Sequence, residues 1–231
     1  MTFSAVLFDC DGVLVDSEPI TVRVLRDMLE EEGWVMSYDQ CYDWFIGKSL
    51  PDELHVVRQM TGKDLDMEWV MAFRMRRNHA LSGEVMPIPG IKAAIEIILT
   101  HKPGMIACAS GADRSKLMLQ LGQTQLLDYF GDHVYSGAET PRNKPYPDVY
   151  LAAAQGLGVD ARACVVVEDS VTGATAGLAA GALVLGYCPV AGREHELLQA
   201  GVRQTFRRMD ELPALIARLE KEHAAHYHGG L

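Results

Sequence analysis

Positive charge is scarce in this chain of 231 residues: 21 Lys and Arg stand against 31 Asp and Glu, a formal net charge of −10. Nucleic acid is therefore excluded as a partner, because binding a phosphate backbone needs a basic face. A phosphorylated small molecule stays open, since one local cation can dominate a cleft. Long apolar runs are also missing. None approaches the roughly 20 residues of a membrane span, and the first is short and ends in Asp9, unlike a signal peptide. Paired cysteines are absent too. The five (Cys10, Cys41, Cys108, Cys164 and Cys188) are odd in number and form no CxxC, so the expectation is reduced, buried thiols in a cytoplasmic protein. There are no internal repeats. The length permits one large domain or one domain with an insertion. Nothing fixes the oligomeric state, and a monomer suffices. The terminal His223, His226 and His228 read as a solvated end rather than a metal site.

What is present is a β-α rhythm from Pro87 onward. Met105–Ala109, Val134–Ser136, Cys164–Val167 and Ala182–Leu185 are strand-like, with helices expected over Asp113–Leu121, Pro147–Gly156 and Val171–Ala180. A peripheral helix near Glu194–Ala200 and a short strand near Thr205 complete it. Ala5–Phe8 matches the same strand pattern. The reading is an α/β fold, a doubly wound parallel sheet covered on both faces. Residues 18–86 break the rhythm. Ile20, Val24, Met28 and Leu29, then Leu54, Val57 and Met60, then Met67, Val70, Met71 and Met75 read as three helical faces, with no strand between them. This predicts a core of residues 1–17 and 87–231 carrying an inserted helical cap, 18–86. With both connections side by side, such a cap could close over the strand ends.

Four separated sites ask for the same chemistry. Asp9 and Asp11 end the first strand, and Gly12 follows to turn the backbone. Two carboxylates aimed at one point call for a cation or a shared proton, and Mg²⁺ prefers hard oxygen ligands. Asp9 suits a nucleophile toward phosphorus, and Asp11 a general acid-base. Ser110-Gly111 closes a strand before a helix, where a hydroxyl and backbone N–H groups hold an anion. Lys144 is held by Pro145 and Pro147. Glu168-Asp169 ends another strand and can hold a hard cation. Each has a plainer reading alone: turn or capping Asp, N-cap Ser, surface Lys, helix-dipole acid. Four coincidences at strand ends or helix starts in an acidic chain are harder to accept, and an enzyme is the expectation.

The stretches VLFDCDGVLVDSE, ASG at Ala109–Gly111, KPYPDVY at Lys144–Tyr150 and VVVEDSVTGATAG at Val165–Gly177 resemble, in order and spacing, the haloacid dehalogenase superfamily of phosphotransferases. The helical insertion resembles the cap of the subgroup with β-phosphoglucomutases and phosphoglycolate phosphatases. The resemblance implies Asp9 as nucleophile and Mg²⁺ ligand, and Asp11 as acid-base with its backbone carbonyl on the metal. It implies Ser110 on the phosphoryl group, Lys144 paired with Asp9, Asp169 on Mg²⁺, and Glu168 supporting the metal directly or through water. Family dehalogenases lack an aspartate where Asp11 stands, which disfavours dehalogenation.

Two departures separate the subgroups. The mutases carry a His where this chain has Thr21. They also carry a phosphate-gripping Arg after a cap Gly-x-Ser, where this chain reads Gly47-Lys48-Ser49-Leu50. The reading is a Mg²⁺-dependent phosphatase of a small phosphate ester, a sugar phosphate or sugar-acid phosphate. A phosphomutase and a non-catalytic sugar-phosphate binding protein are the alternatives. Gly47, Lys48, Ser49 and Gly111 are the substrate-binding candidates. Arg74, Arg76 and Arg77 could enter the cleft or simply line a helix surface.

Overall fold

The computed structural model describes residues 3–45, 48–192 and 194–228, the last six as backbone alone. Among the described residues, eight strands run in chain order: β1 (Ala5–Phe8), β2 (Val15–Asp16), β3 (Met86–Pro87), β4 (Ile106–Ser110), β5 (Val134–Ser136), β6 (Cys164–Glu168), β7 (Leu183–Tyr187) and β8 (Gln204–Phe206). Helices α1 (Glu18–Glu31), α2 (Tyr38–Phe45), α3 (Leu50–Thr61) and α4 (Met67–Glu84) lie between β2 and β3. Then follow α5 (Ile91–His101), α6 (Arg114–Gln123), α7 (Leu127–Phe130), α8 (Asp148–Gly156), α9 (Val171–Ala179), α10 (Glu194–Ala200) and α11 (Leu212–His228).

The main sheet has the order β5-β4-β1-β6-β7-β8, every pairing parallel. Side chains of an extended strand alternate between faces, and both faces here are buried. Val6, Phe8, Ile106, Cys108, Val165 and Val167 pack with Ile91, Ile95, Leu117, Leu121 and Leu212 of α5, α6 and α11. Ala5, Leu7, Ala107, Ala109 and Val166 pack with Val149, Ala153, Ala174 and Leu197 of α8, α9 and α10. This is the doubly wound sheet expected from the apolar runs. All five cysteines are buried and free. No helix among the described residues is long and apolar enough to cross a membrane.

β2 and β3 form a separate antiparallel pair, Val15 opposite Pro87 and Asp16 opposite Met86. The chain thus leaves and rejoins the β-α core at neighbouring points, with four helices and no strand between among the described residues. Those helices bury Val22, Leu25, Met28, Leu29, Cys41, Phe45, Val57 and Phe73 in a core of their own. The helical faces differ in part from expectation. Met67, Met71 and Met75 are 48%, 49% and 66% exposed, and Met60 48%. The face of α4 that is buried instead carries Val70, Phe73, Arg77 and Leu81. An arginine in the middle of that stripe hides its period in the sequence. On α1, Val22 and Leu25 are buried where Val24 was expected.

Candidate active site

β1 lies between β4 and β6, so three strand ends meet where the strand order reverses, the place open α/β sheets keep for ligands. Asp9 follows β1 and donates its N–H to Val167 O at 3.0 Å. Ser110 ends β4, Glu168 ends β6, and Asp169 is the next residue. Lys144 arrives from the loop before α8. Among the described residues, Asp9, Glu168 and Asp169 offer carboxylate oxygens within 4.8 Å of one another. The Lys144 ammonium donates to Asp9 Oδ1 at 2.5 Å, to Glu168 Oε1 at 2.7 Å and to Tyr150 Oη at 3.0 Å.

Glu168 is fully buried and saturated. Its Oε1 also accepts from Tyr150 Oη at 2.7 Å, while Oε2 accepts from the N–H groups of Asp169 and Ser170 and from Ser170 Oγ. Ser170 Oγ in turn caps α9 by accepting from Gly173 N at 3.0 Å. Two glycines make room for these acids. A Cβ on Gly173 would lie 1.7 Å from Glu168 Oε1, and one on Gly12 would lie 1.9 Å from Asp169 Oδ2. Gly12 also has φ of +73°, a region where other residues are strained.

Electrostatics follow from this crowding. Burial, reinforced by Glu168 and Asp11 and only partly offset by Lys144, pushes the Asp9 carboxyl up to about 7. Burial, then the charges of Glu18, Glu168 and Asp9, hold Asp169 well above the ordinary range. Burial alone would lower Lys144, but Asp9 and Glu168 outweigh it and keep its ammonium charged. Acids raised by one another's charge are relieved by a cation. Hard carboxylate oxygens at nearly the span of two Mg–O contacts, about 4 Å, fit Mg²⁺.

Asp11 is held differently. Its Oδ1 receives Lys116 Nζ at 2.7 Å, Gln120 Nε2 at 2.9 Å and the Ser17 hydroxyl. Burial opposes ionisation, but these donors win and bring its pKa down to about 2. Asp11's carboxylate therefore lies outside the acidic triad. Ser110 is buried, and its Oγ accepts from Ala112 N at 3.2 Å.

Asp9, Asp11, Ser110, Lys144, Glu168 and Asp169 line one cavity of about 240 Å³, together with Gly111, Lys48, Ser49, Thr21, Leu50, Arg74 and Arg77. Gly47 lies outside the described residues. Arg76 does not line the cavity and pairs with Glu31 at 2.7 Å. The side chains of His223, His226 and His228 also lie outside the described residues. Sequence reading missed Glu18, Lys116, Gln120 and Tyr150. The signals were there: Lys116 and Gln120 are four apart on the helix after Ser110, hence on one face. Tyr150 closes the KPYPDVY stretch.

The family model of haloacid dehalogenase-like hydrolases matches residues 3–181. The chain belongs to this family. The 6-phosphogluconate phosphatase of Escherichia coli K12 is 30% identical over 212 residues, covering 91% of this chain and 93% of its own length. Hexitol phosphatase B of the same strain is 33% identical over 180 residues, covering 76% and 79%. Among solved structures, a haloacid dehalogenase-like protein of unknown function from Agrobacterium tumefaciens C58 superposes with a TM-score of 0.80 at 32% identity, covering 94% of this chain and 99% of that one. A family hydrolase from Deinococcus radiodurans R1, solved with phosphate and sodium bound, gives 0.76 at 34% identity, covering 94% and 96%. The haloacid dehalogenase-like assignment agrees with the α/β fold and with the enzyme expected from the four motifs.

Proposed function

We propose that this hydrolase is a Mg²⁺-dependent phosphatase of a small, hydroxylated phosphate ester, working through an aspartyl-phosphate on Asp9. The observation that carries the reading is the contact of Asp9 Oδ1 with Lys144 at 2.5 Å beside Glu168 and Asp169. Asp9 attacks phosphorus, and the bond from phosphorus to the ester oxygen breaks. Asp11 protonates that leaving oxygen, then takes a proton from the water that attacks the aspartyl-phosphate and frees Asp9. In the described arrangement Asp11 is ionised and bound to Lys116. That suits the second, base step, and the acid step requires its carboxyl to leave Lys116. Ser110 and Lys144 hold the phosphoryl oxygens, with Glu168 keeping Lys144 in place. Asp9, Asp169 and the Asp11 carbonyl would hold Mg²⁺, with Glu168 behind them, and the ion would supply positive charge where phosphoryl transfer spreads negative charge.

Residues 18–86 act as a cap in this reading, because Thr21, Val22, Leu25, Phe45, Leu50, Val70 and Phe73 supply much of the cavity wall. The buried Thr21 hydroxyl has no hydrogen-bond partner among the described residues. An orphaned buried hydroxyl asks for one, which favours a polyol-like leaving group. The names of the two Escherichia coli relatives point the same way. Leu50 in the wall disfavours a mutase, since it cannot grip a second phosphate. The test is hydrolysis of 4-nitrophenyl phosphate and a panel of sugar and sugar-acid phosphates, with EDTA and after Mg²⁺ is restored. Turnover should stop and return. Metal-independent turnover would sink the reading, and stimulation by a sugar bisphosphate would favour the mutase.

A further inference from the structure

The cavity carries charge unevenly. At the triad end, Lys144 faces two acids, Asp9 and Glu168, with Asp169 beside them. Near the first turn of α6 the balance is reversed: two guanidiniums of α4, Arg77 and Arg74, face one carboxylate, Asp113. Arg77 is committed. Its side chain is 8% exposed, and its Nη2 lies 3.0 Å from Asp113 Oδ2. Its Nε and Nη2 reach Asn78 Oδ1 at 3.1 and 2.8 Å. Arg74 is not committed. Its Nε stops 3.9 Å from the same Asp113 oxygen, and among the described residues its Nη1 meets only the sulfur of Met71 at 3.8 Å, a weak acceptor. The other cations of the wall have acids to themselves or in surplus: Lys116 has Asp11, Lys144 has Asp9 and Glu168, and Lys48 has Glu53 at 3.6 Å.

From this juxtaposition we infer that Arg74 is a specificity-determining residue that receives a carboxylate of the substrate, so that the preferred ester is a phosphorylated sugar acid rather than a neutral sugar or polyol phosphate. The inference rests on the phosphatase reading of the same cavity. A guanidinium presents a planar fork that matches a carboxylate with two parallel N–H bonds. Asp113 is held by Arg77 and by the N–H of Lys116, which it caps at 3.0 Å, so it offers Arg74 little competition. A neutral polyol would leave the surplus charge without a partner.

The test compares 6-phosphogluconate with sorbitol 6-phosphate, six-carbon esters that differ at the end remote from phosphate, a carboxylate in one and a hydroxymethyl in the other. The wild-type protein should favour the acid. Arg74→Gln should lower the acid-to-alcohol ratio of kcat/KM on the order of 10- to 100-fold, the size of a lost charged hydrogen bond, mainly through KM. Arg74→Lys should recover part of the ratio, and Arg76→Gln, on the same helix but off the cavity, should leave the ratio near its starting value. A wild-type preference for sorbitol 6-phosphate overturns the inference. So does an unchanged ratio in Arg74→Gln, an equal fall on both esters, or a collapse in Arg76→Gln. Mg²⁺-dependent hydrolysis of 4-nitrophenyl phosphate by the wild type separates the two levels. If it persists while selectivity fails, only the role of Arg74 is lost; if it is absent, the phosphatase reading falls and this inference with it.

Discussion

Replacing Asp9 with Asn should stabilise the metal-free protein at pH 8 while stopping turnover, and the structure sets the size of the effect. Asp9 is 7% exposed, and its carboxyl sits at about 7 rather than the ordinary 3.8. Forcing it to ionise in the folded state opposes folding by about 4 kcal/mol. The attraction of Lys144 is already counted in that value, and Asn keeps part of the bond through its amide oxygen. The gain for the Asn protein is therefore of the same order, up to about 4 kcal/mol. The sign follows from the direction of the shift. Below about pH 4 the carboxyl is protonated in both folded and unfolded chains, and it costs the wild type nothing. Between about 4 and 7 only the unfolded chain has lost the proton, so wild-type stability falls as pH rises. Above about 7 the gap is constant. Urea unfolding of both proteins in EDTA from pH 5 to 8.5 reads this directly. Added Mg²⁺ should then favour the wild type, since a ligand bound only to the folded state stabilises it. Equal stability slopes with pH, or an Asn protein weaker than wild type at pH 8 in EDTA, would refute the reasoning.

Two further substitutions probe the scaffold. Gly12→Ala puts a Cβ at positive φ, at about 1–2 kcal/mol, and 1.9 Å from Asp169 Oδ2, so Asp169 must move. Calorimetric titration with Mg²⁺ should show weakened binding beside the lowered melting temperature, and intact affinity would count against Asp169 as a ligand. Asp113→Asn keeps an N-cap for α6 but removes the charge facing Arg77 and Arg74. Asp113 sits at about 2, where burial is outweighed by its bonds from Ser115, Arg77 and Lys116 N. A depressed acid stabilises above its unfolded pKa, so the variant should lose roughly 1–2 kcal/mol at pH 7, and the difference should shrink as pH falls from about 4 toward 2. A pH-independent difference in denaturant unfolding would show that capping, not charge, is what Asp113 supplies.

The sheet was legible because buried parallel strands write themselves as unbroken apolar runs: Cys164–Val167 and Met105–Ala109 needed no context. The acids at strand ends were legible for the same reason, since charge directly after such a run is conspicuous. Apart from Lys144, side chains that act on those acids were not. Lys116 and Gln120 sit among Leu117, Leu119 and Leu121, and their partner Asp11 is over a hundred residues away. Glu18 reads as an ordinary first-turn acid until Tyr42 and Asp169 come near it. On α4 the sequence was misleading. Methionines four apart imitate a buried stripe, while the real stripe holds Arg77, whose charge Asp113 and Asn78 make tolerable.

The pairing of Val15–Asp16 with Met86–Pro87 sets the two ends of the helical segment about 5 Å apart, one strand spacing. A segment with neighbouring ends can be exchanged for another of different length without pulling on β1 or α5. On the proposed reading, the roof over the acidic triad is thus a replaceable cassette: grafting the corresponding stretch of another family member between positions 16 and 86 should transplant substrate choice while the phosphorus chemistry underneath stays as it was.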